Sequence, residues 1–346
     1  MKKSLFFLLI FSLLYCAGYS QKTETFINPL LPSGADPFSF YKDGYYYYTH
    51  TLGNKIGLWK TRSIADLPNA EHKIIYTPPA GTMWSKSLWA PEVHFIQGKW
   101  YIYYAADDGV NENHRMYVLE NANADPMQGE WTWKGKIADP SDKWAIDGNV
   151  FEHKKQLYMI WSGWEEDVNG QQNIYIAKMK NPWTIEGERV CISKPTYDWE
   201  THGKLNDPKN PPQVNVNEGP QFLTHEGKLF IVFSASGCWT DHYALGLLTF
   251  TGKDNLMDNK AWKKKPTPVF ATSAKNGVYA PGHNSFFKSP DGKEDWLLYH
   301  ANSAPGQGCG GNRSPRAQRF TWVKGEPYFG EPVKPGIEAE IPSEKK

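Results

Sequence analysis

Five stretches of this chain repeat one pattern, and that repeat limits the fold more than any other feature. They are ADPFSFYKDGYYYYTH from Ala35, APEVHFIQGKWYIYYAA from Ala90, IDGNVFEHKKQLYMIWSG from Ile146, NEGPQFLTHEGKLFIVFSASG from Asn217 and PGHNSFFKSPDGKEDWLLYHA from Pro281. Each has a polar or acidic start, a short strand ending in Phe, a turn and an aromatic-rich strand. The turns carry Asp43-Gly44, Gln97-Gly98, Lys154-Lys155, Glu226-Gly227 and Asp291-Gly292, mostly hairpin chemistry. Further strand candidates (IGLWKTRS, NIYIAKMK, YALGLLTF) lie between the repeats, and no amphipathic helical pattern of useful length occurs. Repeats spaced by roughly 40–70 residues indicate propellers or solenoids. Five units of about four strands predict an all-β fold, a five-bladed β-propeller with blades around a central channel. The blades take up residues 21–340, and residues 341–346 form a polar tail. The whole ending EAEIPSEKK is expected to be loose.

Aligned on their shared Phe (Phe40, Phe95, Phe151, Phe222, Phe286), the repeats bring particular residues into register. Four positions earlier stand Asp36, Pro91, Asp147, Glu218 and Gly282, and three positions earlier Pro37, Glu92, Gly148, Gly219 and His283. The first strand of each propeller blade lines the channel, so equivalent starts converge at one mouth. Burying a lone carboxylate costs several kcal/mol. A polar funnel removes that difficulty and gathers Asp36, Asp147 and Glu218, with Glu92 and His283 from the other two blades.

Charge is nearly balanced, with 38 basic and 37 acidic residues, which argues against a nucleic-acid or acidic-lipid partner. The 15 Trp and 19 Tyr exceed what a core requires, and their flat faces suit sugar rings, although a Tyr-rich β protein would also contain them. At the N-terminus, MKK, the apolar SLFFLLIFSLLYCA and the small-residue GYSQ read as a signal peptide over residues 1–20, cleaved near Ser20. The apolar run is too short for a permanent span. Lipoprotein processing at Cys16 is disfavoured by Tyr15 before it, so the mature chain is expected to be secreted or periplasmic. Cys191, Cys238 and Cys309 then remain, enough for one disulfide and one thiol, at spacings that fit no metal motif. The glycine-rich GQGCGGNR joins no strand to a helix, so phosphate binding is set aside.

Three acids at one mouth are the parts of a glycoside hydrolase: a proton donor, a base, and a third charge that raises the donor's pKa. The motifs ADPFSFYKDGYYYY, WAPEVHF, IDGNVF, NEGPQF, GHNSFF and RSPRAQRFTW together resemble glycoside hydrolase family 43, over about Asn28 to Pro332. That resemblance implies an inverting five-bladed propeller enzyme acting on arabinose- and xylose-containing polysaccharides. It implies Asp36 as general base, Asp147 as the acid's pKa modulator and Glu218 as general acid. Many members read Asp-Pro-Asp-Pro where this chain has one Asp, and Asp36 is matched to the second because Pro37 follows it. His283 matches a histidine that reaches a channel cation, often Ca2+, largely through water; no organic cofactor is implied. Arg313 and Arg316 flank the family's arginine near base and sugar, and Trp89 is matched to the aromatic subsite wall. Glu92, Trp164 and Trp239 complete the expected substrate contacts, with Trp161 and Trp164 able to be wall or core. The phrasing of the last three motifs resembles the exo-acting α-L-arabinofuranosidases, some of which prefer α-1,5-linked arabinan ends. A β-xylosidase, an endo-arabinanase and a non-catalytic sugar-binding propeller are the alternatives. The insert Lys194–Val216, rich in Pro and charge, could close one end of a groove into a pocket.

Overall fold

A computed structural model describes residues 24–208 and 210–344 of the chain. The signal-peptide reading and Cys16 lie outside the described residues. Strands dominate, joined by loops and by 3-10 turns of at most six residues. They form consecutive antiparallel units beginning with Phe38–Lys42, Lys86–Ile96, Ala145–His153, Asn215–His225 and Tyr279–Lys288, here called units I to V. Units III and IV share one eight-stranded sheet, because Gln171 and Gln172 pair in parallel with Asn215 and Val216. The five first strands lie side by side in a closed cycle, unit V packing against unit I.

The cores explain why the second strands read as unbroken apolar runs. Alternate residues of a strand point to opposite faces. In unit III, Leu157, Met159 and Trp161 pack toward unit II, while Tyr158 and Ile160 pack toward unit IV. The same division supplies a core between every neighbouring pair around the cycle. Both faces are buried, as in sheets covered on two sides, so periodicity two is masked in the sequence. Most of the aromatic excess goes here: Tyr48, Tyr103, Tyr104 and Tyr299 are completely buried.

Four of the expected hairpins form with both turn residues at positive φ, as two-residue turns of the twist-matching kind require: Asp43-Gly44, Gln97-Gly98, Lys154-Lys155 and Glu226-Gly227. The fifth is longer. Ser289 to Glu294 form a loop in which the Asp291 carboxylate accepts from the Ser289 hydroxyl and the Lys293 N–H. The described part of the polar ending, residues 338–344, is also more ordered than its polarity suggested. Glu338–Glu340 pairs with Thr25–Ile27, and the Ser343 hydroxyl donates to Asp291 at 2.7 Å. Backbone pairing compensates there for the scarcity of apolar side chains.

Candidate active site

Each first strand starts with an irregularity that aims its side chains into the middle of the ring. Bulges interrupt the register between Ile146 and Asn149, between Glu218 and Gln221, and on either side of Gly282. Left-handed backbone accompanies them at Asp147 (φ 58°), Gly219 (φ 54°) and His283 (φ 48°), and at Asp36 (φ 60°) it occurs alone, just before a regularly paired strand. Non-glycine residues in this region are uncommon, and clusters of them mark sites where geometry outranks local comfort. Bulges of this kind re-aim side chains. At Gly219 an added Cβ would sit 3.4 Å from the His283 ring, so that position also has close packing to satisfy.

The result is a cavity of about 440 Å³ lined by Asp36, Asp147, Glu218, His283 and Arg313 at its base. Its walls include Trp89, Trp144, Trp239 and, from the insert, Leu205 and Asn210. Trp89 stacks on His114 at 4.0 Å, and Trp239 is anchored by its Nε1–H, which donates to the Lys204 carbonyl at 3.0 Å. The Cys238–Cys309 disulfide crosses the rim, leaving Cys191 as a free thiol.

Asp36 is surrounded by groups that favour its anion. The Thr51 hydroxyl donates to Oδ2 at 2.6 Å, Arg313 Nη1 to Oδ1 at 3.1 Å, and His283 Nδ1 lies 3.3 Å from Oδ1. Burial alone would raise this pKa, but Arg313, then His283, and the Thr51 hydroxyl outweigh it and hold the carboxyl well below the usual range. The backbone N–H of Asp36 donates to His300 Nδ1 at 3.0 Å, which puts the His300 proton on Nε2. Burial and then Arg313 keep that ring neutral.

The other two acids are pushed the opposite way. Burial raises Asp147 to about 7, with repulsion from Glu218 and Asp36 adding to it against the attraction of His283. Burial also raises Glu218, against the pull of His283 and of the Tyr243 hydroxyl, which donates to Oε1 at 2.7 Å. The Gly219 N–H, next in the chain to Glu218, donates to Asp147 Oδ2 at 3.0 Å. Asp147 and Glu218 thus titrate as a pair that retains a proton above the ordinary carboxylate range. His283, attracted to all three acids, is raised despite its burial.

Asp147→Asn tests this pairing. Its folded pKa lies above its unfolded value of about 4, so the folded chain keeps a proton the unfolded chain loses. Stability therefore declines as pH rises from about 4 to about 7, and the full cost, on the order of 2–4 kcal/mol, applies above that. The variant should melt a few degrees higher than the parent at pH 8, with a smaller gain at pH 5. The alkaline limb of its rate profile should move to lower pH, because Glu218 loses a repelling neighbour. Equal melting at both pH values with an unmoved limb would count against the pair.

Three expected contacts are elsewhere. Glu92 is buried in the ring below the pocket, bound by His94 Nε2 at 2.9 Å, Asn149 Nδ2 at 2.8 Å and Gln221. Its unit carries its register shifts before Glu92, which therefore sits in the regular ladder opposite Tyr103, whereas in units III to V a shift spans the equivalent position. Trp164 is in the core, stacked on Trp144 at 4.7 Å, and Trp144 takes the wall position. Trp161 is core as well. Arg316 is fully buried within unit V, with Nη2 donating to Ser303 Oγ at 2.9 Å, and does not line the cavity. Three residues back in the chain, Arg313 reaches Asp36. Sequence reasoning missed Thr51, Trp144, Tyr243 and His300; the runs DHYALGLL and LLYHA held the last two without marking them.

Among the described residues, no group of three or more His, Cys, Asp or Glu side chains is placed to hold a metal ion. Calcium takes six to eight oxygen ligands, and His283 supplies a nitrogen already directed at Asp36. These side chains do not fit a calcium site of their own. Nor, among the described residues, is any helix long and apolar enough to cross a membrane.

A model of the glycosyl hydrolases family 43 matches residues 26–327. The chain belongs to glycosyl hydrolase family 43. Within family 43 it is 40% identical over 328 residues to an extracellular exo-alpha-(1->5)-L-arabinofuranosidase of Streptomyces avermitilis, covering 92% of this chain and 66% of that protein. It therefore spans about two thirds of that relative's length. A protein of the same description from Streptomyces chartreusis is 37% identical over 291 residues, covering 82% of this chain and 85% of that one. The crystal structure of an alpha-L-arabinofuranosidase from Lactobacillus brevis superposes with a TM-score of 0.82 at 39% identity, covering 90% and 98% of the two chains.

Proposed function

We propose that this chain is an inverting exo-α-L-arabinofuranosidase that removes terminal arabinofuranose, α-1,5-linked, from arabinan or arabino-oligosaccharides. The observation that carries this reading is the opposed perturbation of acids around one cavity: Asp36 held ionised, Asp147 and Glu218 held toward protonation. Carboxyl groups with pKa values driven apart are how one site runs acid and base steps together. Asp36 takes a proton from water as it attacks the anomeric carbon, while Glu218 gives one to the departing oxygen. Asp147 raises the proton affinity of Glu218, and Arg313 with Thr51 keeps Asp36 ionised and oriented.

Exo action is supported by the walls. Leu205 and Asn210 of the insert, with Trp239 tied to it through Lys204, line the cavity, which favours a pocket over an open groove. The sugar and linkage follow the relatives named above, and their description as extracellular supports secretion of the mature chain. The five units, cyclic in their first strands and in their cores, support the five-bladed propeller. A channel cation, if bound beside His283, would be held mainly through water and is assigned no step. Sugars released from debranched arabinan, arabinoxylan and xylo-oligosaccharides test the proposal: arabinose without xylose is expected, and xylose alone would move the reading to a β-xylosidase.

A further inference from the structure

A second cavity of about 300 Å³ opens on the outer part of unit II, lined by Met83, Trp84, Tyr117, Trp133, Arg115 and Lys136 among others. Trp84 and Trp133 stack at 4.4 Å with planes 18° apart, and Tyr117 lies beside both. Two large apolar side chains remain open to solvent there: Trp133 is 38% exposed and Met83 48%. An indole held in a stack while showing its surface is an apolar platform with its orientation already fixed.

The polar groups around it are also held in place. Asp142 binds Arg115 Nε at 3.1 Å and Lys136 Nζ at 2.5 Å, and Arg115 Nη1 donates to the His114 carbonyl at 2.8 Å. One carboxylate ties down both cations and leaves the groove a single net positive charge among fixed hydrogen-bonding groups. Beside an exposed indole stack, such donors and acceptors suit a polyhydroxylated chain. The groove is also linked to the catalytic cavity through one short turn. Asn111 lines the first cavity and Asn113 the second, on one 3-10 turn, and His114 between Asn113 and Arg115 supports Trp89.

We propose that this groove is a second binding site for the polysaccharide, holding a stretch of the neutral pentose polymer remote from the end being cleaved. The inference rests on the arabinan reading above but concerns polymer capture, not chemistry. Trp133→Ala is the test, because a partly exposed outer side chain can be removed without opening the core. The variant and its parent, both also carrying Asp36→Asn so that the polymer stays intact, are run on native gels with and without debranched arabinan. The parent should be retarded by arabinan, and Trp133→Ala should weaken that binding by roughly 2- to 10-fold, the range of one aromatic contact. In otherwise wild-type protein, Trp133→Ala should lower kcat/KM on arabinan while leaving arabinobiose within about twofold. Unchanged retardation, or equal losses on polymer and disaccharide, would overturn the inference while leaving the catalytic reading standing. Retardation without any hydrolysis by the wild-type chain would do the reverse. A concentration-dependent dimer abolished by Trp133→Ala would make the patch a self-interface and also overturn it.

Discussion

Asp36→Asn is expected to lose activity by about 10²–10⁴-fold on every glycoside tested, whatever its leaving group. Water must be activated in each case, and no other carboxylate at the pocket is held ionised as Asp36 is. Asparagine keeps the shape and one accepting oxygen, enough for Thr51 or Arg313 but not both, and cannot take a proton. KM should change little if the role is chemical, because the loss falls on the transition state. The fold should persist, since Asp36 precedes its strand and is no member of the inter-unit cores. A circular-dichroism melt verifies that. Activity within tenfold of wild type would remove Asp36 from the base role.

Glu218→Ala should separate substrates that Asp36→Asn does not. On arabino-oligosaccharides, whose leaving alkoxide needs a proton, the loss should be about 10²–10⁴-fold. On an aryl arabinofuranoside with an acidic phenol as leaving group, most of the rate should survive. Deleting Glu218 also frees the Tyr243 hydroxyl and relieves Asp147 of a repelling neighbour, so Asp147 should titrate lower. Equal losses on both substrates would leave the acid unassigned. No loss in either Asp36→Asn or Glu218→Ala would favour a sugar-binding propeller without catalysis.

The parts of this account that the sequence made legible are those the repeat itself encodes. Asp36, Asp147 and Glu218 stand four positions, and His283 three, before a recurring Phe, so the repeat placed them together before any coordinates. The same device failed for Glu92, because the bulge of its unit lies before it and leaves it in the regular ladder, buried among Asn149, Gln221 and His94. Trp144 and Trp164 flank one hairpin and stack on each other, and nothing in composition tells which of a stacked pair meets the cavity. Arg313 and Arg316 differ in the same way: one precedes its strand and reaches across to Asp36, the other points into unit V. Tyr243 and His300 come from later strands, whose ends the repeat leaves unaligned, and they were found only from hydrogen bonds to Glu218 and to the Asp36 backbone.

The first sugar to leave the pocket distinguishes exo from endo action most directly. Purified protein with debranched arabinan, sampled from the earliest time point and resolved by chromatography, should release free arabinose as the initial product while viscosity falls slowly. Leu205, Asn210 and Trp239 line the cavity, as the walls of a pocket for one chain end would. Early arabinobiose and arabinotriose with a rapid drop in viscosity would contradict exo action, and would make the cavity part of an open, endo-acting groove.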